Sequence, residues 1–392
     1  MRRTRSKQVK QERIDYRMGI LSSLDEVDAR QWNALIARQP QPTPFLRHEF
    51  LSALAATQCT TERTGWVPRF VTLVDATSGA LAALAPLYVK SHSYGEYVFD
   101  WAWADAYQRN GLDYYPKLVC AVPFTPVEGT RLIAVDEAAR RQLAASIITL
   151  AEQSDVSSLH VLFPTTDEAD TLAALGMMLR EGIQFHWVNQ GYRDFEDFLS
   201  TLEQKKRKNI RAERRKVHDA GVTMRRVRGQ EATDDDWRFF TRCYRQTYRE
   251  HFSSPYLNLE FFRAIGASMP ENLLLIIAER AGRPIASSLV FYQRDEQTGS
   301  TQTGGTLYGR YWGAVEHVPC LHFETAYYQP LEFCIEEKLA VFEGGAQGEH
   351  KMARGFMPKV THSAHWLGHP AFADAVGRFL DNEANLIEAH VD

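Results

Sequence analysis

Side chains able to move protons are densest in residues 316–351. The stretch opens Glu316-His317-Val318-Pro319-Cys320-Leu321-His322-Phe323-Glu324 and closes Phe342-Glu343-Gly344-Gly345-Ala346-Gln347-Gly348-Glu349-His350-Lys351. Carboxylate and imidazole are the groups most readily tuned toward neutral pH, so either Glu316 or His317 can serve as a general base. Pro319 suits a first helical position, where its missing N–H costs nothing. The amides of Cys320, Leu321 and His322 then read as an anion or oxyanion site at a helix start. Gly344, Gly345 and Gly348 allow close approach of backbone to a ligand. Glu349 and His350 after them join the catalytic candidates, and Gln347 and Lys351 read as acceptor-binding. A zinc site from His317, Cys320 and His322 with Glu324, His350, His362 or His365 is the rival. Its spacing matches no common zinc pattern and a helix N-terminus repels a cation, so no metal is expected. The Cys320 thiol reads as structural rather than nucleophilic.

The elements that must hold this stretch are a strand before it, a helix over 321–337 and a short strand over 340–343. The same order occurs earlier, as a helix over 136–153 and a strand over 159–163. Upstream, Phe45-Leu46-Arg47-His48-Glu49-Phe50-Leu51-Ser52-Ala53-Leu54 lines up with Tyr256-Leu257-Asn258-Leu259-Glu260-Phe261-Phe262-Arg263-Ala264-Ile265. A hairpin over 69–74 and 80–90 likewise matches one over 273–279 and 284–293. Four matching elements in one order indicate two copies of one domain about 200 residues apart. The expected fold class is α/β (α+β), with a mixed, mostly antiparallel sheet flanked by helices in each copy. The expected division is a disordered basic tail over 1–17, a first domain over 18–185, and a second over 186–392 that carries the site. No dinucleotide fingerprint or Walker run is present.

Between the copies, residues 202–220 read as a helix closed by Gly221. Lys205, Lys206, Arg207, Lys208, Arg211, Arg214, Arg215 and Lys216 oppose one Glu213 there. Arg207, Arg211, Arg214 and Arg215 fall on one face, and four arginines together imply anionic company such as the phosphate of a donor. In the first copy, residues 91–105 are rich in aromatics. Trp101 and Trp103 read either as domain-interface core or as a ligand-stacking, acceptor-binding edge.

Composition sets limits on partners and compartment. A chain of 392 residues with net charge −4 is not a wholesale nucleic-acid binder, so a basic feature acts locally. Five scattered cysteines without a CxxC indicate a reducing compartment, and no apolar run approaches the ~20 residues of a membrane span. A cytoplasmic location is expected.

The runs Lys90-Ser91-His92-Ser93-Tyr94-Gly95-Glu96-Tyr97-Val98-Phe99-Asp100-Trp101-Ala102-Trp103, residues 205–216, His317-Val318-Pro319-Cys320-Leu321-His322-Phe323-Glu324 and Gly345-Ala346-Gln347-Gly348-Glu349-His350-Lys351 together resemble the FemAB-like family of peptidoglycan biosynthesis/recognition proteins. That family lies within the GNAT-like acyltransferase superfamily, and the resemblance runs from about residue 20 onward. It implies tandem GNAT-like domains and transfer of an acyl or aminoacyl group to an amine, with a peptidoglycan precursor as acceptor. Acyl-CoA or aminoacyl-tRNA is the implied donor, the latter meeting the basic helix. Residues 311–318 offer only Gly313 where a GNAT pyrophosphate loop carries more glycine, so no cofactor is firmly implied. The competing expectation is a non-catalytic module that recognises a cell-wall precursor or carbohydrate between the copies.

Overall fold

The computed structural model describes residues 15–295, 304–346 and 348–391. The first half begins with β1 (Tyr16–Leu21), α1 (Ala29–Ala37) and α2 (His48–Ala56). It continues through β2 (Trp66–Pro68), β3 (Phe70–Asp75), β4 (Leu81–Ala85), β5 (Leu87–Lys90), α3 (Trp101–Arg109), β6 (Lys117–Cys120) and β7 (Ile133–Ala134). It ends with α4 (Glu137–Gln153), β8 (Ser158–Leu162), α5 (Thr166–Ala174) and the long β9 (Met178–Val188). The second half opens with α6 (Phe195–Ser200), α7 (Gln204–Asp219), β10 (Val222–Arg228), α8 (Asp234–Glu250) and α9 (Leu259–Ser268). A hairpin of β11 (Leu273–Arg280) and β12 (Arg283–Gln293) leads to β13 (Thr306–Ala314). One unbroken helical stretch follows: α10 (Leu321–Phe323), a π-turn (Glu324–Tyr328) and α11 (Gln329–Glu336). The last elements are β14 (Val341–Glu343), α12 (Glu349–Met352), β15 (Met357–Leu367) and α13 (Pro370–Val391).

Eleven strands form one sheet in the order β10-β11-β12-β13-β14-β9-β15-β8-β6-β5-β2, and β1-β3-β4-β7 form a smaller one. The α/β class expected from the sequence is therefore the one found. Two pairs in the large sheet are parallel, β6 with β8 and β13 with β14, and every other pair is antiparallel. Each parallel pair is closed by a helical crossover, as parallel pairing requires. Side chains cap the helices where the sequence offers them: Asp136 accepts from the Ala139 amide at the start of α4. Gly221, at φ +73, ends α7 in the left-handed conformation that glycine adopts freely.

Three local expectations change. The apolar run over 80–90 is two strands, because Pro86 has no N–H for a ladder; β4 joins the small sheet and β5 the large one. Of the expected tail, residues 1–14 lie outside the described residues, while Tyr16 and Arg17 open β1 against Asp75 and Val74. At the expected division, β9 runs through residues 182–188 as a central strand rather than a linker, and β15 lies between β9 and β8.

The halves share one aromatic core. Phe45 packs on Phe291 and Tyr308 with ring centroids 4.8 and 5.1 Å away, and Phe50 meets Phe261 at 5.5 Å. Each fully buried ring of this kind contributes about 1.5–3 kcal/mol. A second junction is polar and just as buried. Lys117 donates to Ser93 Oγ and Glu96 Oε2, both at 2.8 Å, and to Asp100; Tyr114 also donates to Asp100, at 2.7 Å. His160 of β8 and His365 of β15 are bonded ring to ring at 2.7 Å beside them. Burial works against the Lys117 ammonium, yet Glu96 and Asp100 hold its pKa above the ordinary value. Removing the cation from a buried ion pair strands the carboxylates, so Lys117→Met is expected to cost about 3–5 kcal/mol. Urea unfolding of the two chains measures this, and an unchanged midpoint would show the cluster to be inert.

Candidate active site

In the large sheet, β13 and β14 pair over only three residues: Thr306, Leu307 and Tyr308 face Val341, Phe342 and Glu343. β14 then stops while β13 continues to Ala314, so the strands part. β13 also bulges. Leu289 faces Tyr311 and Val290 faces Gly309, which leaves Arg310 out of the ladder. A bulge bends its strand and re-aims the extra side chain. Glycines allow the close packing on both sides of it: a Cβ on Gly309 would lie 3.0 Å from the Phe342 ring, and one on Gly313 would lie 2.0 Å from the Cys243 carbonyl oxygen of α8.

The parted strands open a cleft of about 150 Å³ lined by Arg310, Trp312, His322, Tyr327, Phe342 and Gly344. The helical stretch after β13 closes over it, and its π-turn has a local cause. Pro330 has no N–H to return to the preceding turn, so regular helical bonding fails there. In the wider turn the Thr325 carbonyl would also look to residue 330, and instead accepts from Ser288 Oγ at 2.8 Å. π-Turns of this kind gather at functional sites. A larger cavity of about 460 Å³ shares Arg310, Tyr311 and Trp312 with the cleft and reaches Tyr97 and Pro126 of the first half.

The structure brings together one part of the sequence-predicted site. His322 lies in the cleft with its ring 4.7 Å from Trp312. Burial, with the nearby His350, Arg354 and Lys351, pushes its pKa down to about 4. His350 Nε2 is 3.3 Å from the Tyr327 hydroxyl, and burial followed by Lys351 and Arg354 lowers its pKa too. Both imidazoles are thus neutral at pH 7. Lys351 is buried, and its Nζ donates to the Ala346 carbonyl at 2.7 Å and the Gly345 carbonyl at 3.2 Å, tying down the loop that edges the cleft. Burial lowers its pKa to about 8. Glu349 opens α12, and Gln347 lies outside the described residues.

Other candidates fall elsewhere. Glu316 forms a solvent-facing ion pair with Arg280 at 2.8 Å, and His317 is exposed with no hydrogen bond among the described residues; neither lines the cleft. Of the expected anion-binding amides, that of Leu321 is engaged within the chain. Cys320 adopts φ +66, and the Leu321 amide donates to the Val318 carbonyl, closing a turn instead of facing a ligand. Trp103 is buried against His365 at 5.0 Å and cannot stack on a ligand, whereas Trp101 stands half-exposed beside Tyr94.

A family model described as peptidoglycan biosynthesis/recognition, FemAB-like, matches residues 23–392. The chain belongs to the FemAB-like family. Solved structures of similar fold include FemX, with 10% identity and a TM-score of 0.52 over 88% of this chain and 98% of that one. L-PGS from Bacillus licheniformis is similar too, with 12% identity and a TM-score of 0.51 over 90% of this chain and 97% of that one. No curated protein sequence matches the chain. These likenesses are of fold.

In this FemAB-like protein three of the four arginines of α7 are engaged by the protein itself. Arg214 grips Glu324 of the π-turn through two bonds of 3.0 and 2.9 Å and reaches Glu332 at 2.6 Å. Arg211 pairs with Glu196, and Arg207 donates to the Leu202 and Ser200 carbonyls. For Arg211 and Arg214 the anionic company is therefore the protein's own, and of the four only Arg215 is exposed without an ion pair among the described residues. Residues missed by the sequence reading are Arg310, Tyr311, Trp312 and Tyr327. For the first three the one signal is the pair of glycines in Gly309-Arg310-Tyr311-Trp312-Gly313, since glycine inside a strand marks a bulge or a close approach.

The lowered pKa of Lys351 has a testable consequence. Its folded pKa of about 8 lies below the ordinary 10.5, so between these values the native state binds fewer protons than the unfolded state. Stability from this group therefore rises with pH across that window. Urea unfolding at pH 7 to 10.5 is expected to show the native chain gaining stability relative to Lys351→Met; parallel curves would show that Lys351 does not titrate there.

Proposed function

We propose that the protein transfers an acyl or aminoacyl group to an amine acceptor at the β13–β14 cleft. The observation that carries this reading is that neutral His322 and Tyr327 line one small opening, with His350 at the Tyr327 hydroxyl and buried Lys351 tying down the loop that follows Gly344. In such a transfer the amine nitrogen attacks the donor carbonyl carbon, a C–N bond forms, and the ester or thioester bond to the carrier breaks. The amine must lose a proton and the carbonyl oxygen must be stabilised as it gains charge. His350 is the better base, being solvent-accessible for onward release of the proton and bonded to Tyr327. His322, held near pKa 4, serves as a neutral wall with Trp312. Lys351 fixes the loop beside the opening through the Gly345 and Ala346 carbonyls.

An aminoacyl-tRNA or acyl-CoA donor would meet the outer side of α7, where Lys205, Lys208, Arg215 and Lys216 are exposed. The acceptor class suggested by the family is a peptidoglycan precursor. A cytoplasmic location agrees with the five free cysteines. The test incubates the full chain with acetyl-CoA or charged tRNA and a lysine-containing muropeptide. His350→Ala is expected to lower kcat by about 10²–10⁴-fold, and Glu316→Ala and His317→Ala to leave it within about two-fold, as solvent-facing groups away from the cleft. Consumption of no donor would overturn the transferase reading in favour of a recognition module. A loss confined to Glu316→Ala or His317→Ala would move the site out of the cleft.

A further inference from the structure

The larger cavity has a built character of its own. Five tyrosines (Tyr97, Tyr244, Tyr248, Tyr256 and Tyr311) and Trp312 wall it, drawn from both halves of the chain. Among the described residues no aspartate or glutamate lines it, and the groups in its lining able to carry positive charge are Arg310 and His251. Its volume of about 460 Å³ is that of a small-molecule site. Burial raises the pKa of Tyr97 to about 12 and raises those of Tyr244 and Tyr248 as well, so these walls stay neutral.

Arg310 is the residue the bulge turns out of the ladder. Its guanidinium lies over the Tyr311 ring at 5.1 Å, and one Nη donates to the Phe124 carbonyl at 2.8 Å. Its Nε is buried with no hydrogen-bond partner, and no carboxylate forms an ion pair with it among the described residues. Glu343, the acid that acts on it through space, is pushed by burial to about pKa 8 and is mostly protonated at pH 7. A buried donor left unmade is costly, and the guanidinium fork matches a carboxylate or phosphate.

We propose that this cavity is the acceptor subsite and takes an amine whose other end carries a carboxylate or phosphate. Arg310 holds the anion, the tyrosines pack the body of the molecule, and the amine is delivered along β13 to the cleft. The term acceptor rests on the transferase reading above; the binding of the anion does not.

Calorimetry on the full chain without donor tests binding separately from turnover. The probes are lysyl-alanine dipeptide, its C-terminal amide, and O-phosphoethanolamine. At least one anionic probe is expected to bind ten-fold or more tighter than the amide. Arg310→Gln should erase that preference and Arg310→Lys should keep part of it, which separates attraction of the anion from packing. Dependence on Arg310 with the dipeptide alone assigns a carboxylate, and with O-phosphoethanolamine alone a phosphate; either supports the subsite. Binding of none of the probes, or binding indifferent to charge and to Arg310, overturns it. Anion-dependent binding in a chain that consumes no donor supports the subsite and removes only the transfer reading.

Discussion

The parting of β13 and β14 after three paired residues is the constraint on which the rest of the site depends. A sheet interior that opens leaves backbone groups without ladder partners, and each such buried group costs about 1–3 kcal/mol unless something else bonds it. The surrounding sequence is arranged around this need. The bulge at Arg310 and the glycines at 309 and 313 let the strand bend while Phe342 and α8 still pack against it. The helical stretch that closes the gap loses its regular bonding at Pro330, and Ser288 of the neighbouring strand takes up the Thr325 carbonyl.

The roof so formed is irregular, and charge holds it in place. Arg214 of α7 grips Glu324 and Glu332, and Arg226 of β10 bonds Gln329, Glu332 and Glu336. Arg354 donates to Tyr328 at 2.9 Å and Glu213 at 2.8 Å while lying 3.5 Å over the Phe323 ring. Three arginines, from α7, β10 and the turn after α12, thus converge on one acidic helical stretch. Partly buried, bidentate pairs of this kind fix orientation better than they add stability. Much of the positive charge in α7 is accordingly structural, and only its outer lysines and Arg215 face solvent without a strong partner.

Local pattern carried a good part of this architecture. The helix over 202–220, the hairpin over 273–293 and the final strand were legible because apolar spacing, glycine and proline report directly on local backbone. Half of the candidate site was legible for a different reason: His322, His350 and Lys351 lie within one short span of chain, so a search for dense reactive residues meets them. That search could not separate them from Glu316 and His317, because which neighbours face the cleft depends on the left-handed turn at Cys320. Arg310 was hidden more deeply. As one residue of a regular strand it would point with the alternation of its neighbours, and only the register between β12 and β13 reveals that it does not. The placement of β15 between β9 and β8 is likewise a long-range pairing that no local periodicity encodes.

The two cavities meet at Arg310, Tyr311 and Trp312, so three consecutive residues belong to both. A strand with strict alternation would send Arg310 to the face opposite Tyr311, whereas the bulge gives both access to the larger cavity and leaves Trp312 at the cleft with His322. The consequence is one segment of β13 shared by both openings. Arg310 lines both openings, so on the proposed reading its guanidinium would hold a ligand's anionic end at the junction of the tyrosine-walled cavity and the cleft. On the proposed reading a two-ended molecule would be oriented by β13 itself, because one short segment of the strand borders both openings.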